Sequence, residues 1–166
     1  QMCIRDRFHR VRVSAATIGR VVDLGITDAN NMGAAMAPAA CDTVLTHFKD
    51  MGRTEADYDR IVTGDLGRFG TEMLLSLCRE RGTALEGRHL DCGNRIYGPD
   101  QDVKCGGSGC GCSAVTLAAE LLDKLESGAW RRILFLATGA LLSPTAVLQG
   151  ESIPGIAHAL VIEREA

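Results

Sequence analysis

Aromatic residues make up only 4% of this chain, proline occurs 4 times, and neither sign of charge dominates. The 18 basic and 21 acidic side chains are scattered and leave a net charge of -3, so no basic stripe exists to hold a phosphate backbone, and nucleic acid is excluded as a partner. The longest stretch without a charge, Ile133 to Gly150, is interrupted by Gly139, Ser143, Pro144 and Gln149. It fits a buried strand followed by a loop better than a membrane span. No signal peptide precedes the first domain-like segment, and the chain reads as soluble. The 7 cysteines do not form a disulfide framework: most stand singly among apolar or glycine neighbours, as reduced thiols do in a cytosol-like compartment. No metal site and no cofactor pattern is read. Cys105, Cys110 and Cys112 follow a C-x₄-C-x-C spacing with no histidine near to complete a zinc set, and small buried cysteines at a crowded turn account for them.

What is present is a large apolar fraction, 46% over 166 residues, enough for the core of one domain. Residues 1–7, Gln-Met-Cys-Ile-Arg-Asp-Arg, match the translation of a transposon sequencing adaptor and are set aside, which leaves 8–166 as the folded unit of a protein expected to extend upstream.

The β-branched run from Val11 to Val22 predicts a strand. Asp28 to Asn31 is a turn, followed by a helix with Met36, Ala40, Val44, Leu45 and Phe48 on one face, Pro38 in its first turns or at a kink, and Gly52 at its end. Tyr58 to Thr63 predicts a second strand, preceded by a capping-box pattern at Thr54 to Asp57. A helix carrying Phe69, Met73, Leu74, Leu77 and Cys78 then stops at Gly82. The glycine-rich loop Gly106 to Cys112 opens a further helix whose apolar positions are Val115, Ala118, Leu121, Leu122 and Leu125, with Glu120 and Lys124 spaced for an ion pair. Ile133–Ala137 and Ile156–Ile162 are the remaining strands. This alternation defines an α/β fold with a mostly parallel mixed sheet covered by helices.

Five segments carry a family signature: Val21 to Ile26, Asn31 to Ala40, Ile61 to Gly67, Gly106 to Ala114, and Ala137 to Thr145 continuing through Gln149 to His158. Together they resemble the stage V sporulation protein AD family over nearly the whole chain after Arg7. The resemblance implies a thiolase-like half, one of two in an αβαβα architecture, with this chain as the C-terminal half. It implies a protein of the machinery that moves calcium dipicolinate into developing spores and binds dipicolinic acid, free or as the calcium salt. Membrane proteins of the same sporulation system, a homodimeric state and a peripheral position at the spore inner membrane belong to the same expectation.

The resemblance also bears on catalysis. Ketoacyl synthase III, a distant relative by fold, places a histidine after the strand comparable to Tyr58 to Thr63 and an asparagine in the loop opening the later helix. Here those places read Gly64-Asp65 and Ser108. Neutral donors aimed at a developing oxyanion are usually the largest catalytic contribution, and a carboxylate would repel it. No catalytic residue is therefore assigned, and a binding protein is expected. The competing expectation is an acyltransferase or condensing enzyme with relocated groups, with His158 as the candidate histidine.

The candidate ligand-binding residues are Asp65, Gly107, Ser108, Gly109, Cys110 and His158. Backbone N–H groups of the Gly106–Cys112 loop suit a carboxylate at a helix start, although the glycines equally serve close helix packing. Asp65 stands at a strand end, where α/β proteins place functional groups, and helix capping explains it as well. His158 is either a pocket residue or a hydrogen-bonded structural one. His47 is read as surface or packing.

Overall fold

The computed structural model describes residues 10–98 and 100–165, so the adaptor-like heptapeptide lies outside the described residues. Five strands, β1 (Val11–Thr17), β2 (Arg60–Thr63), β3 (His89–Asp91), β4 (Arg132–Ala140) and β5 (Gly155–Arg164), form one sheet in the order β1-β5-β4-β2-β3. β2 runs parallel to β3 and β4, while β5 is antiparallel to both β4 and β1. Four strands thus point one way and β5 alone points back, so the sheet is mixed as expected, with two parallel and two antiparallel pairings rather than mostly parallel ones.

One face is covered by α1 (Met32–Met51) and α2 (Gly67–Glu80), over a core that includes Met36, Val44, Leu74, Leu134, Leu136 and Val161. α1 starts where the Asn31 side chain accepts from the Ala34 N–H, and ends at Gly52 in the left-handed conformation (φ 61°). Met36, Ala40, Val44 and Phe48 face inward as their spacing predicts. Pro38 is tolerated within the helix, where its missing N–H leaves only the Ala34 carbonyl without its usual partner. The Thr54–Asp57 capping box is formed: the Asp57 carboxylate accepts from the Thr54 N–H at 2.8 Å.

His47 takes the packing alternative in full. It is completely buried, bonded through Nδ1 to the Thr17 hydroxyl (2.7 Å) and through Nε2 to the Tyr58 hydroxyl (2.6 Å), which also receives a bond from Arg53 (3.2 Å). Burial pushes the imidazole below its ordinary pKa. A neutral ring carrying its proton on Nδ1 satisfies this chain of bonds, with Arg53 donating to Tyr58 and Tyr58 to Nε2.

Three expectations are corrected. The first strand ends at Thr17 rather than Val22, because an added Cβ on Gly19 would stand 1.7 Å from the Ala157 carbonyl oxygen. There the chain leaves β1 to cross the end of β5, bonding to it through Gly19 and His158 and again through Val22 and Gly155, and Ile18 is 86% exposed. The second strand starts at Arg60, since Tyr58 is spent on packing against Phe48.

The third correction concerns the helix on the other face, where α4 (Cys110–Thr116), a π-helical turn (Leu117–Leu121) and α5 (Leu122–Glu126) follow without a break. The buried positions are Cys112, Thr116, Leu121 and Leu125; Val115 is 53% exposed and Ala118 is exposed as well. Their 4-5-4 spacing includes the extra residue that a π turn inserts, so a uniform 3.6 period finds Leu121 and Leu125 but misplaces the stripe before the turn, at Val115 and Ala118. Glu120 correspondingly pairs with Arg95 (Nε to Oε2 3.2 Å) instead of Lys124. β3, α3 (Cys92–Arg95) and α6 (Pro144–Leu148) were not expected at all.

α1 and α2 cross at a pair of glycines. A Cβ on Gly70 would stand 2.9 Å from the Gly33 Cα, and one on Gly33 would stand 2.5 Å from the Leu66 carbonyl oxygen. Both atoms are backbone and cannot swing away. Gly70→Ala is therefore expected to lower stability by about 1–3 kcal/mol through overpacking, as read from urea unfolding, whereas Gly82→Asn, at an open helix end, should cost far less.

Candidate functional site

The carboxyl ends of β2 and β4 meet the N-terminal ends of α1 and α2 and the 103–110 loop. Between them lies a cleft of ≈ 440 Å³, whose lining includes Asn31, Asp65, Phe69, Tyr97, Lys104 and Ser108. A second hollow of ≈ 250 Å³, lined by Met36, Asp65, Ser108, Cys110 and Thr138 among others, adjoins it. Asp65 and Ser108 belong to both.

The scaffold under the cleft is a buried carboxylate that the sequence reading passed over. Asp91, at the end of β3, accepts through Oδ2 from the Thr63 hydroxyl (2.7 Å) and the Leu66 N–H (2.8 Å). Through Oδ1 it accepts from the N–H groups of Gly67 (3.0 Å) and Asn94 (3.1 Å). One side chain thereby caps α2 and α3 and ties both to β2. Burial pushes its pKa up against the pull of these bonds. The Thr63 hydroxyl has one proton and gives it to Asp91, so the His89 Nε2–H, 2.9 Å away, must donate to Thr63. Burial holds the His89 imidazole down at about 4.

Asp65 does not cap α2, contrary to the capping alternative. Its Oδ1 accepts from the Thr138 hydroxyl (2.9 Å) and its Oδ2 from the Gly109 N–H (2.9 Å), pinning the glycine-rich loop to β4. The Asp65 N–H donates back to the Thr138 hydroxyl oxygen at 3.2 Å. Gly64 makes this possible, since its Cβ would lie 2.9 Å from the Thr138 Oγ1. The amide offered by Gly109 to an outside anion is thus already occupied by a carboxylate of the chain itself.

Of the expected residues, the fold brings Asp65, Gly107, Ser108, Gly109 and Cys110 together, Gly107 in the larger hollow and Gly109 and Cys110 in the smaller. His158 stands apart. It lies opposite Ala137 on β5, whereas Thr138 lies opposite Ala157, so strand alternation puts His158 on the other face of the sheet from Thr138. There its Nδ1 accepts from the Gly19 N–H at 3.1 Å, the hydrogen-bonded structural alternative. Gly107 is buried because the Ile96 and Tyr97 side chains lie against it: an added Cβ would be 2.7 Å from Ile96 Cγ2 and 3.2 Å from Tyr97 Cε2.

The cysteines also need correction. Cys105 and Cys110 are exposed at the cleft, and only Cys112 of the three is buried. Among the described residues no group of three or more His, Cys, Asp or Glu side chains is placed to hold a metal ion. Phe69, expected among the apolar positions of its helix, is instead 44% exposed and lines the cleft beside Asn30, Tyr97 and Lys104, none of which was named as a site residue. Lys104 carried a signal only in retrospect, as the residue before Cys105-Gly106-Gly107, in a stretch tight enough to force a positive φ.

The fold and this strand-end hollow define a thiolase-like half. A tetronic acid condensing enzyme superposes with a TM-score of 0.54 at 13% identity, covering 92% of this chain and 47% of its own. A 3-oxoacyl-(acyl-carrier-protein) synthase III superposes with a TM-score of 0.50 at 15% identity, covering 95% and 51%. At these identities the likeness shows the fold alone. The chain belongs to the stage V sporulation protein AD family, whose profile matches residues 1–163. It is 51% identical over 154 residues to the stage V sporulation protein AD of Bacillus subtilis (strain 168), an alignment that covers 93% of this chain and 46% of that protein. The chain therefore spans about half the length of the relative it matches.

Two outcomes follow from the buried groups. Asp91→Asn, which sets an NH₂ against N–H donors, is expected to cost about 2–4 kcal/mol in chemical unfolding, the sum of a lost cap and charge-assisted bonds. His89 takes up its proton near 6.5 when unfolded and only near 4 when folded. Its contribution is thus complete above pH 6.5 and fades as the pH falls towards 4, by up to about 3 kcal/mol. The raised Asp91 opposes it over part of that range, so the check is the difference between wild type and His89→Gln, which should lack this acid limb.

Proposed function

We propose that the chain is the C-terminal, ligand-holding half of a non-catalytic thiolase-like protein of sporulation, which binds dipicolinic acid and supports the uptake of calcium dipicolinate into the developing spore. The observation that carries this reading is the Asp65 carboxylate, fixed by Thr138 and Gly109 at the strand end where a condensing enzyme needs a neutral donor. A negative charge there works against an oxyanion, and losing one such donor alone typically costs roughly 10²–10³ in rate. Neither hollow is lined by an imidazole. Of the asparagines at the cleft, Asn31 is committed to capping α1. What is left is a hollow lined by apolar and polar groups together, of a size suited to a small ligand.

Family membership and the matched relative support the sporulation context. No helix among the described residues is long and apolar enough to cross a membrane, and the proposal includes a peripheral position at the spore inner membrane beside membrane proteins of the same system. The sheet face beyond α5 is open at Ala137, His158 and Leu160, which suits packing against another part of the longer protein or a second subunit of a homodimer.

Calorimetric titration of the full-length protein with dipicolinate should give saturable binding, and incubation with acyl-coenzyme A should leave the intact mass unchanged. A flat titration together with a stable acyl adduct would sink the reading in favour of an acyltransferase with relocated groups.

A further inference from the structure

Two rings and one cation stand free at the cleft. In a chain with 7 aromatic residues in all, Phe69 is 44% exposed and Tyr97 42% exposed, and both line the same hollow. Phe69 projects from the first turn of α2, whose start is fixed by Asp91. Tyr97 lies close against Gly107, where an added Cβ would stand 3.2 Å from its ring. An exposed aromatic side chain forfeits apolar burial unless something lies on it, and a flat ring is the partner it packs with best.

Lys104 lines the same hollow and is the one non-glycine residue with positive φ (39°) among the described residues. The turn that holds it is bonded at successive points: Gly106 N–H to the Val103 carbonyl (2.6 Å), Arg68 N–H to the Cys105 carbonyl (2.8 Å), and Gly107 N–H to the Gly93 carbonyl (2.7 Å). Its ammonium meets only Asp102 at 3.2 Å, in a pair whose side chains are 83% and 86% exposed. Such an exposed pair is weak and exchangeable, so the charge is available to a ligand.

We infer that Phe69, Tyr97 and Lys104 form the recognition set of the cleft, and that they select a planar aromatic carboxylate: the rings take its face and Lys104 takes a carboxylate. The Gly109 amide is excluded from this role because Asp65 already holds it. This assignment rests on the functional reading above, which names the ligand but not the groups that distinguish it from a flexible acyl chain or a saturated acid.

The test is calorimetric titration of the full-length protein with pyridine-2,6-dicarboxylate and with cyclohexane-1,3-dicarboxylate, which keeps both acids and lacks the π face. Lys104→Asn deletes the charge and retains a residue that accepts a left-handed backbone; it should bind the pyridine acid about tenfold more weakly, with less dependence on salt. Lys104→Arg keeps the charge and should stay within about threefold of wild type. Phe69→Leu, at an exposed position, should weaken binding by about fivefold, and the saturated acid should bind wild type about tenfold more weakly than the aromatic one. The inference is overturned if wild type binds and either Lys104→Asn or Phe69→Leu matches it within about twofold, if Lys104→Arg loses as much as Lys104→Asn, or if both acids bind alike. Wild type that binds neither acid sinks the functional reading and this inference with it.

Discussion

The Asp91 carboxylate is the joint on which the cleft depends. It lies at the end of an edge strand of three residues, too short to be held by its own ladder, and it gathers donors from β2, α2 and α3. An N–H at a helix start has no partner within the helix, and when buried it must find one elsewhere. A single anion satisfies three such groups at once, and the positive end of α2 favours its charge. Because α2 begins where Asp91 holds it, the positions of Asp65 just before and Phe69 just after follow.

From that joint the cleft is assembled by close approaches rather than by large side chains. Gly33 and Gly70 let α1 and α2 touch backbone to backbone, Gly64 admits the Thr138 hydroxyl, and Gly107 admits the Tyr97 ring. Asp65 then fastens the glycine-rich loop to β4. A loop with so many glycines has much conformational entropy to lose, and these few directed bonds are what keep it in one shape. The result is a small hollow of mixed lining at the carboxyl edge of the sheet, the place where open α/β sheets hold ligands.

The parts of this architecture that sequence shows are those set by periodicity and caps. The inward face of α1, its stop at Gly52, the box at Thr54 to Asp57 and the cores of β4 and β5 all follow from local rules. The grouping of Asp65 with Ser108, Gly109 and Cys110 followed from motif order. The failures have a common cause, which is dependence on distant partners. The strand-like residues Ile18 and Val21 lie outside β1 because Gly19 meets Ala157; the π turn moves the buried stripe of α4–α5; and His89-Leu90-Asp91 becomes a strand only beside β2. Asp91 itself reads as an ordinary polar residue until the elements it joins are in place.

The same distinction separates fold from chemistry at the strand ends. A thiolase-like half fixes where a hollow forms, since the sheet order and the helix starts determine it, but it does not fix the charge placed there. With Asp65 turned to Thr138 and Gly109, its two oxygens are engaged while its negative charge stays in the hollow. On the proposed reading an anionic ligand needs a cation elsewhere on the rim, and Lys104, whose backbone sits on a turn held by three backbone bonds, is the lysine that lines the hollow. In the reading proposed above, a carboxylate where a condensing enzyme needs a neutral donor, together with a lysine on the rim, favours a ligand with a permanent negative charge over a transient charge on a thioester, without moving a strand.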